Sequence, residues 1–154
     1  MADRPAASPD PDPSPDPGGR EDLDDADYQR LLLFRTGLRR FLHWSEQLAT
    51  EVGLTPAQHQ LLLAIRGHAD PRGPTVGDVA GYLLLRHHSA VGLVDRAAEA
   101  GLVLRRQDQA DHRVVRLQLT AKSSQLLRQL TALHLEELSR LGPQMRPIWE
   151  GLGD

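Results

Sequence analysis

Arg86-His87-His88-Ser89 sets a guanidinium, two imidazoles and a hydroxyl in four consecutive positions. Neighbours on a helix point about 100° apart, so His87 and His88 cannot close on one metal ion, and His88 cannot act as the base for Ser89. At the start of a helix the same run can instead meet a duplex. Arg86 can pair with guanine or phosphate, Ser89 can bond base edges or phosphate, and His87 and His88 are read as DNA contacts beside them. Arg105 and Arg106 form a second basic point and are candidates for phosphate contact. Asp111-His112-Arg113 places an acid and a base two residues apart in a polar stretch. Taken alone, that pair is a solvated turn contact worth under about 1 kcal/mol.

Other chemistry is excluded. The chain has seven histidines and no cysteine, so disulfides, thiolate zinc sites and iron–sulfur clusters are ruled out. His43, His59, His68, His112 and His134 show no H-x-x-x-H spacing, and no metal site is expected. There is no nucleophile elbow, phosphate-binding loop or G-x-G-x-x-G, so neither catalysis nor a cofactor is expected.

The elements that must carry these side chains follow from periodicity. Leu31, Phe34, Leu38, Phe41, Leu42, Ser45, Leu48, Ala49 and Val52 recur at helical spacing from about Asp24, and Gly53 ends the run. At 1.5 Å per residue this helix is about 40 Å long and is expected to pack against more than its own subunit. Thr55-Pro56-Ala57-Gln58 opens a second helix with core residues Leu61, Leu62, Ala64 and Ile65, ending at Gly67. Residues 68–74 read as an exposed loop. Thr75-Val76-Gly77-Asp78 opens a short helix with Val79, Ala80, Leu83 and Leu84 as apolar positions. A turn at 85–88 leads to another helix on Ala90, Val91, Val94, Ala97 and Ala98, closed by Gly101. Gly92 within it calls for a close approach to DNA or to another helix.

After Gly101 the period becomes two. Residues 102–106 and 114–119 read as strands, with Val115, Leu117 and Leu119 on one face and Val114, Arg116 and Gln118 on the other. Residues 107–113 form the hairpin tip. Thr120 caps a leucine-rich helix through Leu126, Leu127, Leu130, Leu133, Leu138 and Leu141. Gly142 and Pro143 are expected to break it, leaving a short segment with Ile148 and Trp149. A helix-turn-helix followed by a basic hairpin is a winged helix. The fold class is therefore mainly α with a small β-wing, a winged helix-turn-helix flanked by long N- and C-terminal helices.

The charge agrees with this division. The chain of 154 residues has a net charge of −3, but residues 1–27 hold nine acids and two bases, a net of −7. The remaining 127 residues carry +4. Six of the eleven prolines precede residue 18, and residues 1–23 read as a disordered acidic tail. No apolar run approaches the roughly 18 residues that span a bilayer, and no signal peptide is visible, so a cytoplasmic protein without membrane contact is expected.

Several of these pieces occur in a familiar order. Leu54-Thr55 and Gln58 are followed by Thr75-Val76-Gly77-Asp78-Val79-Ala80, then Leu93-Val94-Asp95-Arg96 and Gly101-Leu102-Val103 with Arg105. Asp111-His112-Arg113, Leu117 and Leu119-Thr120 complete the series. The order resembles the MarR family of transcriptional regulators over roughly residues 28–141. The resemblance implies a MarR-like domain at 24–154, with dimerisation helices at 24–53 and 120–154 and a DNA-binding lobe at 55–119. It implies a homodimer on a pseudo-palindromic operator in double-stranded DNA, most simply a repressor released by an effector. Arg113 would reach the minor groove from the wing with Asp111 orienting it, while Asp95 and Arg96 would be structural. A cleft between the first, second and post-wing helices would take a small amphipathic or aromatic effector, with His43, Trp44 and His59 as lining candidates. Without cysteine, the thiol-oxidation mechanism used by part of the family is excluded. The competing expectation is a winged helix used for protein contact, with the acidic tail as docking arm.

Overall fold

Helix punctuation organises the chain. The computed structural model describes residues 23–150, without the side chains of Gln144 and of residues 147–150. Most of the acidic tail, and the side chains of Ile148 and Trp149, lie outside the described residues. The elements are α1 (Asp25–Glu51), α2 (Pro56–Gly67), α3 (Val76–Tyr82), α4 (His87–Glu99), β1 (Val103–Gln107), β2 (Val115–Leu119) and α5 (Ala121–Glu150). Asp24, Thr55 and Thr75 each close a full capping box with the residue three positions on. Thr120 and Ser123 do the same for α5, at 3.1 Å in both directions.

Three helices end in the same left-handed turn, in which two backbone N–H groups reach back to satisfy terminal carbonyls. Leu54 N–H bonds Ala49 O and Leu102 N–H bonds Ala97 O, each across a glycine, Gly53 at φ +82° and Gly101 at φ +70°. The third is at the end of α3, where Leu85 N–H bonds Ala80 O. Its left-handed residue is Leu84, at φ +54° and 92% exposed. The expectation of Leu84 as an apolar position of α3 is therefore corrected. It lies in the turn itself, and α4 begins at His87, so the turn spans 83–86 and not 85–88.

α1 and α5 pack antiparallel. Ser45 faces His134, and near the other end Gly37 lies 3.5 Å, measured from an added Cβ, from the sulfur of Met145. The break expected at Gly142-Pro143 does not occur, and α5 runs unbroken to Glu150. A proline inside a helix removes one N–H bond and clashes with the preceding turn, a cost that a long packed helix can absorb. Nor is the stripe of α1 uniformly buried. Ser45 and Ala49 are sealed, but Leu31, Leu38 and Leu42 stay largely exposed.

The core lies where α2, α4, α5 and the wing meet, on Leu61, Leu62, Val79, Val94, Leu117 and Leu130. β1 and β2 pair antiparallel with Val103 opposite Leu119 and Gln107 opposite Val115. The loop at 68–74 is exposed only in part, because Gly73 and Pro74 are buried beneath the wing. Leu117 N–H bonds Pro74 O at 2.8 Å. Gly73 has φ +95°, and a Cβ there would lie 2.1 Å from the Leu117 carbonyl oxygen. Only glycine allows that approach.

Candidate nucleic-acid interface

The N-terminus of α4 carries the four-residue run. Arg86 is the N-cap residue, with extended backbone and no side-chain cap, and His87, His88 and Ser89 form the first turn. Arg86, His87 and His88 are exposed and Ser89 is half-buried, while Ala90, Leu93, Val94 and Ala97 bury the opposite face. A helix anchored this way presents its first turn outward. The close approach expected at Gly92 does not come from a neighbouring helix. Among the described residues, the nearest atom to an added Cβ is a guanidinium nitrogen of Arg96, at 3.3 Å.

The wing tip is a stack of small turns. Asp108 N–H bonds Val114 O and Val114 N–H bonds Asp111 O, both at 2.9 Å. Arg113 donates three times to Asp111, from its backbone N–H at 3.1 Å, from Nε at 3.0 Å and from Nη2 at 3.1 Å. The Arg113 bonds hold the Asp111 carboxyl below the ordinary carboxylate range. The guanidinium is thus fixed in direction yet its side chain is 90% exposed, an arrangement suited to an anion or a groove.

The two arginines at the wing base differ. Arg105 donates to Asp95 of α4 at 2.5 Å, tying β1 to the middle of that helix. Arg106 is exposed, forms no ion pair among the described residues and lines a groove of about 690 Å³ between the wing and residues 71–72.

Periodicity missed a four-residue ion cluster beneath the tip. Arg116, which alternation sets on the face opposite Leu117, is only 16% exposed. It donates from Nε to Asp108 at 2.9 Å and from Nη1 to Gly73 O at 3.1 Å. Arg72 donates to the same Asp108 oxygen at 2.9 Å and chelates Asp70 through Nε and Nη2. Hydrogen bonds from Arg72 pull the Asp70 carboxyl far below its usual range. The signal available in the sequence was an arginine between apolar strand residues with acids at Asp70 and Asp108, but 36 residues separate Arg72 from Asp108.

Trp44 and His59 come together, though not with His43. His59 is buried, 5.0 Å ring to ring from His134, and Trp44 lies 5.0 Å from the same imidazole. His134 Nδ1 bonds the Leu130 carbonyl at 2.6 Å and therefore donates. Its Nε2 lies 2.7 Å from Ser45 Oγ and in the neutral ring accepts that hydroxyl proton. Burial lowers the His59 pKa, and the His134 charge lowers it further. His43 is exposed and bonds Gln47 along α1, away from this cluster. A separate groove of about 570 Å³ lies between α2 and α5, where Leu63, Leu119 and Leu135 sit beside Arg66 and Arg128.

Among the described residues no group of three or more His, Asp or Glu could hold a metal ion, and no helix is long and apolar enough to cross a membrane. An anchored helix with an outward first turn, followed by a basic hairpin, defines a winged helix-turn-helix of the DNA-binding class. Residues 52–114 match the model of the MarR family. The structure is similar to a MarR family protein from Bacillus stearothermophilus, with TM-score 0.66, 23% identity and coverage of 78% of this chain and 82% of that one. It is similar to a mutant of MepR from S. aureus solved bound to an oligodeoxyribonucleotide, with TM-score 0.60, 22% identity and coverage of 73% and 81%. CouR from Rhodococcus jostii, solved bound to p-coumaroyl-CoA, gives TM-score 0.62, 26% identity and coverage of 84% and 92%. No curated protein matches the chain. By this partial match and this fold the chain is similar to MarR family transcription regulators.

Proposed function

We propose that the protein is a homodimeric repressor that binds a pseudo-palindromic site in double-stranded DNA and leaves it when a small amphipathic or aromatic effector binds. The observation that carries this reading is Arg113, held by Asp111 and 90% exposed at the tip of a wing whose base is tied to α4 by Arg105 and Asp95. Arg86, His87, His88 and Ser89 read bases and phosphates in the major groove, Arg106 and Arg105 meet the backbone, and Arg113 enters the minor groove. The exposed leucines of α1 and α5 supply the dimer surface, setting two α4 helices about 34–36 Å apart, one turn of DNA. The dimer acts in the cytoplasm, where such a regulator meets its operator.

The groove between α2 and α5 suits the effector better than the neighbourhood of His43, because leucines there stand beside Arg66 and Arg128. It borders both the dimer helices and the DNA-binding lobe. A ligand that prefers another lobe spacing weakens DNA binding by its difference in affinity for the two forms. Such a ligand would be an amphipathic anion, in keeping with the acyl thioester bound by CouR.

Selection of bound duplexes from a random library, followed by salt titration, tests the reading. A recovered two-fold motif, with binding that weakens steeply as salt rises, is expected. Flat, weak binding overturns it. Arg113→Ala should cost about 1–3 kcal/mol of operator affinity while the dimer persists by light scattering.

A further inference from the structure

Asp108 is 4% exposed at the point where the wing tip meets the loop between α2 and α3. Its two oxygens divide the work. Oδ1 accepts from the N–H of Ala110 at 2.8 Å and of Asp111 at 3.3 Å, which shapes the tip turn. Oδ2 accepts from Arg116 Nε and Arg72 Nη1, both at 2.9 Å. Arg116 is tied in turn to Gly73 O at 3.1 Å and approaches Asp70 at 3.7 Å. One carboxylate therefore links the strand, the tip and the 68–75 loop, and Asp111, whose backbone it holds, is the residue that holds Arg113.

We propose that Asp108, through its clamp with Arg116 and Arg72, is a positioning residue that aims Arg113 by locking the wing tip to the loop between α2 and α3. The proposal rests on the reading of Arg113 as a DNA contact. A two-stranded wing is flexible about its base, and an exposed guanidinium at its tip loses direction when the base moves. A covered carboxylate with four donors resists that motion, because each donor lost leaves its charge less compensated. Neither arginine of the clamp is free for phosphate as Arg106 is. Arg116 is nearly covered, and both are engaged by carboxylates.

A double-mutant cycle on the full-length protein and its selected operator separates positioning from general support. Asp108→Asn keeps the shape but removes the charge that Arg116 and Arg72 grip, and should weaken operator binding about tenfold. In an Arg113→Ala background the same substitution should change affinity less than twofold, because the group it aims is gone. Arg116→Gln opens the clamp from the strand side and should give the same pattern, which keeps the test available if Asp108→Asn does not fold. Equal losses in both backgrounds, or no loss in the parent protein, overturn the proposal. If the parent protein binds no duplex, the DNA reading itself fails and takes this proposal with it, a result distinct from a flat cycle on a working operator.

Discussion

In the winged-helix lobe Leu61, Leu62, Val79, Val94 and Leu117 are sealed from solvent, whereas on α1 and α5 Leu31, Leu32, Leu33, Leu135 and Leu138 are 48% to 63% exposed. The lobe closes a core within one chain, while Leu63, Tyr82 and Leu84 stay exposed on its surface. The helical pair does not, although Gly37 against Met145 and Ser45 against His134 already bring its helices together. Water penalises exposed apolar area by about 25 cal/mol per Å², so such a face is stable in water mainly when something covers it. The lobe thus carries its own core, whereas the pair leaves an apolar face of the kind that the proposed dimer would cover.

The sharpest way to break the contrast is to charge the helical face. Leu32→Glu together with Leu138→Glu should dissociate the dimer by a factor of 100 or more, since each buried leucine contributes about 1.5–3 kcal/mol and occurs twice in a two-fold interface. Sedimentation velocity would show monomers with the helical signal kept. A persistent dimer would place the interface elsewhere. In the lobe the corresponding probe is internal. Gly73→Ala drives a methyl onto the Leu117 carbonyl and should destabilise the fold by about 2–4 kcal/mol in urea unfolding. Tolerance of alanine would show that the loop and wing are not locked together.

His59 stands at the seam between the two regions, and its pKa is depressed by burial and by His134. The unfolded chain takes up a proton near pH 6.5 that the folded chain resists. Stability is therefore present in full above about pH 6.5 and declines as the pH falls below it, by at most about 1.4 kcal/mol per pH unit for one proton. His59→Gln should flatten that part of the curve of urea midpoint against pH, and an unchanged slope would remove His59 as its source. The smallest effect belongs to the α3–α4 turn. Leu84→Gly relieves the left-handed strain and exposes less apolar surface, raising stability by up to about 1 kcal/mol. A lowered melting temperature would show that Leu84 makes a contact worth more than its strain.

Much of this was legible without coordinates. The threonine caps at Thr55, Thr75 and Thr120, the glycines at 53 and 101, and the change of period at Leu102 each act within a few residues. Local hydrogen bonding and side-chain alternation decide them. Where the reading failed, a local rule met a tertiary contact or lacked its usual residue. Leu84 hid the end of α3 because leucine stands where glycine does in the other two turns. Pro143 was read as a stop because one residue's cost is visible in a sequence and the packing that offsets it is not. Strand alternation set Arg116 opposite Leu117 without revealing its ion pairs, because its partners Asp70 and Asp108 lie outside β2.

The sequence by itself determined the caps, the order of helices and strands, the run Arg86-His87-His88-Ser89 and the pairing of Asp111 with Arg113. All of these depend on groups within about one turn of each other. Only the tertiary structure decided that Arg116 and Arg72 share the Asp108 carboxylate, that Gly73 lies against Leu117, and that Trp44, His59 and His134 meet while His43 does not. Those outcomes depend on which distant segments exclude water from one another. That is a property of the assembled core, set by the packing of α2, α5 and the wing, and no window of neighbouring residues contains it.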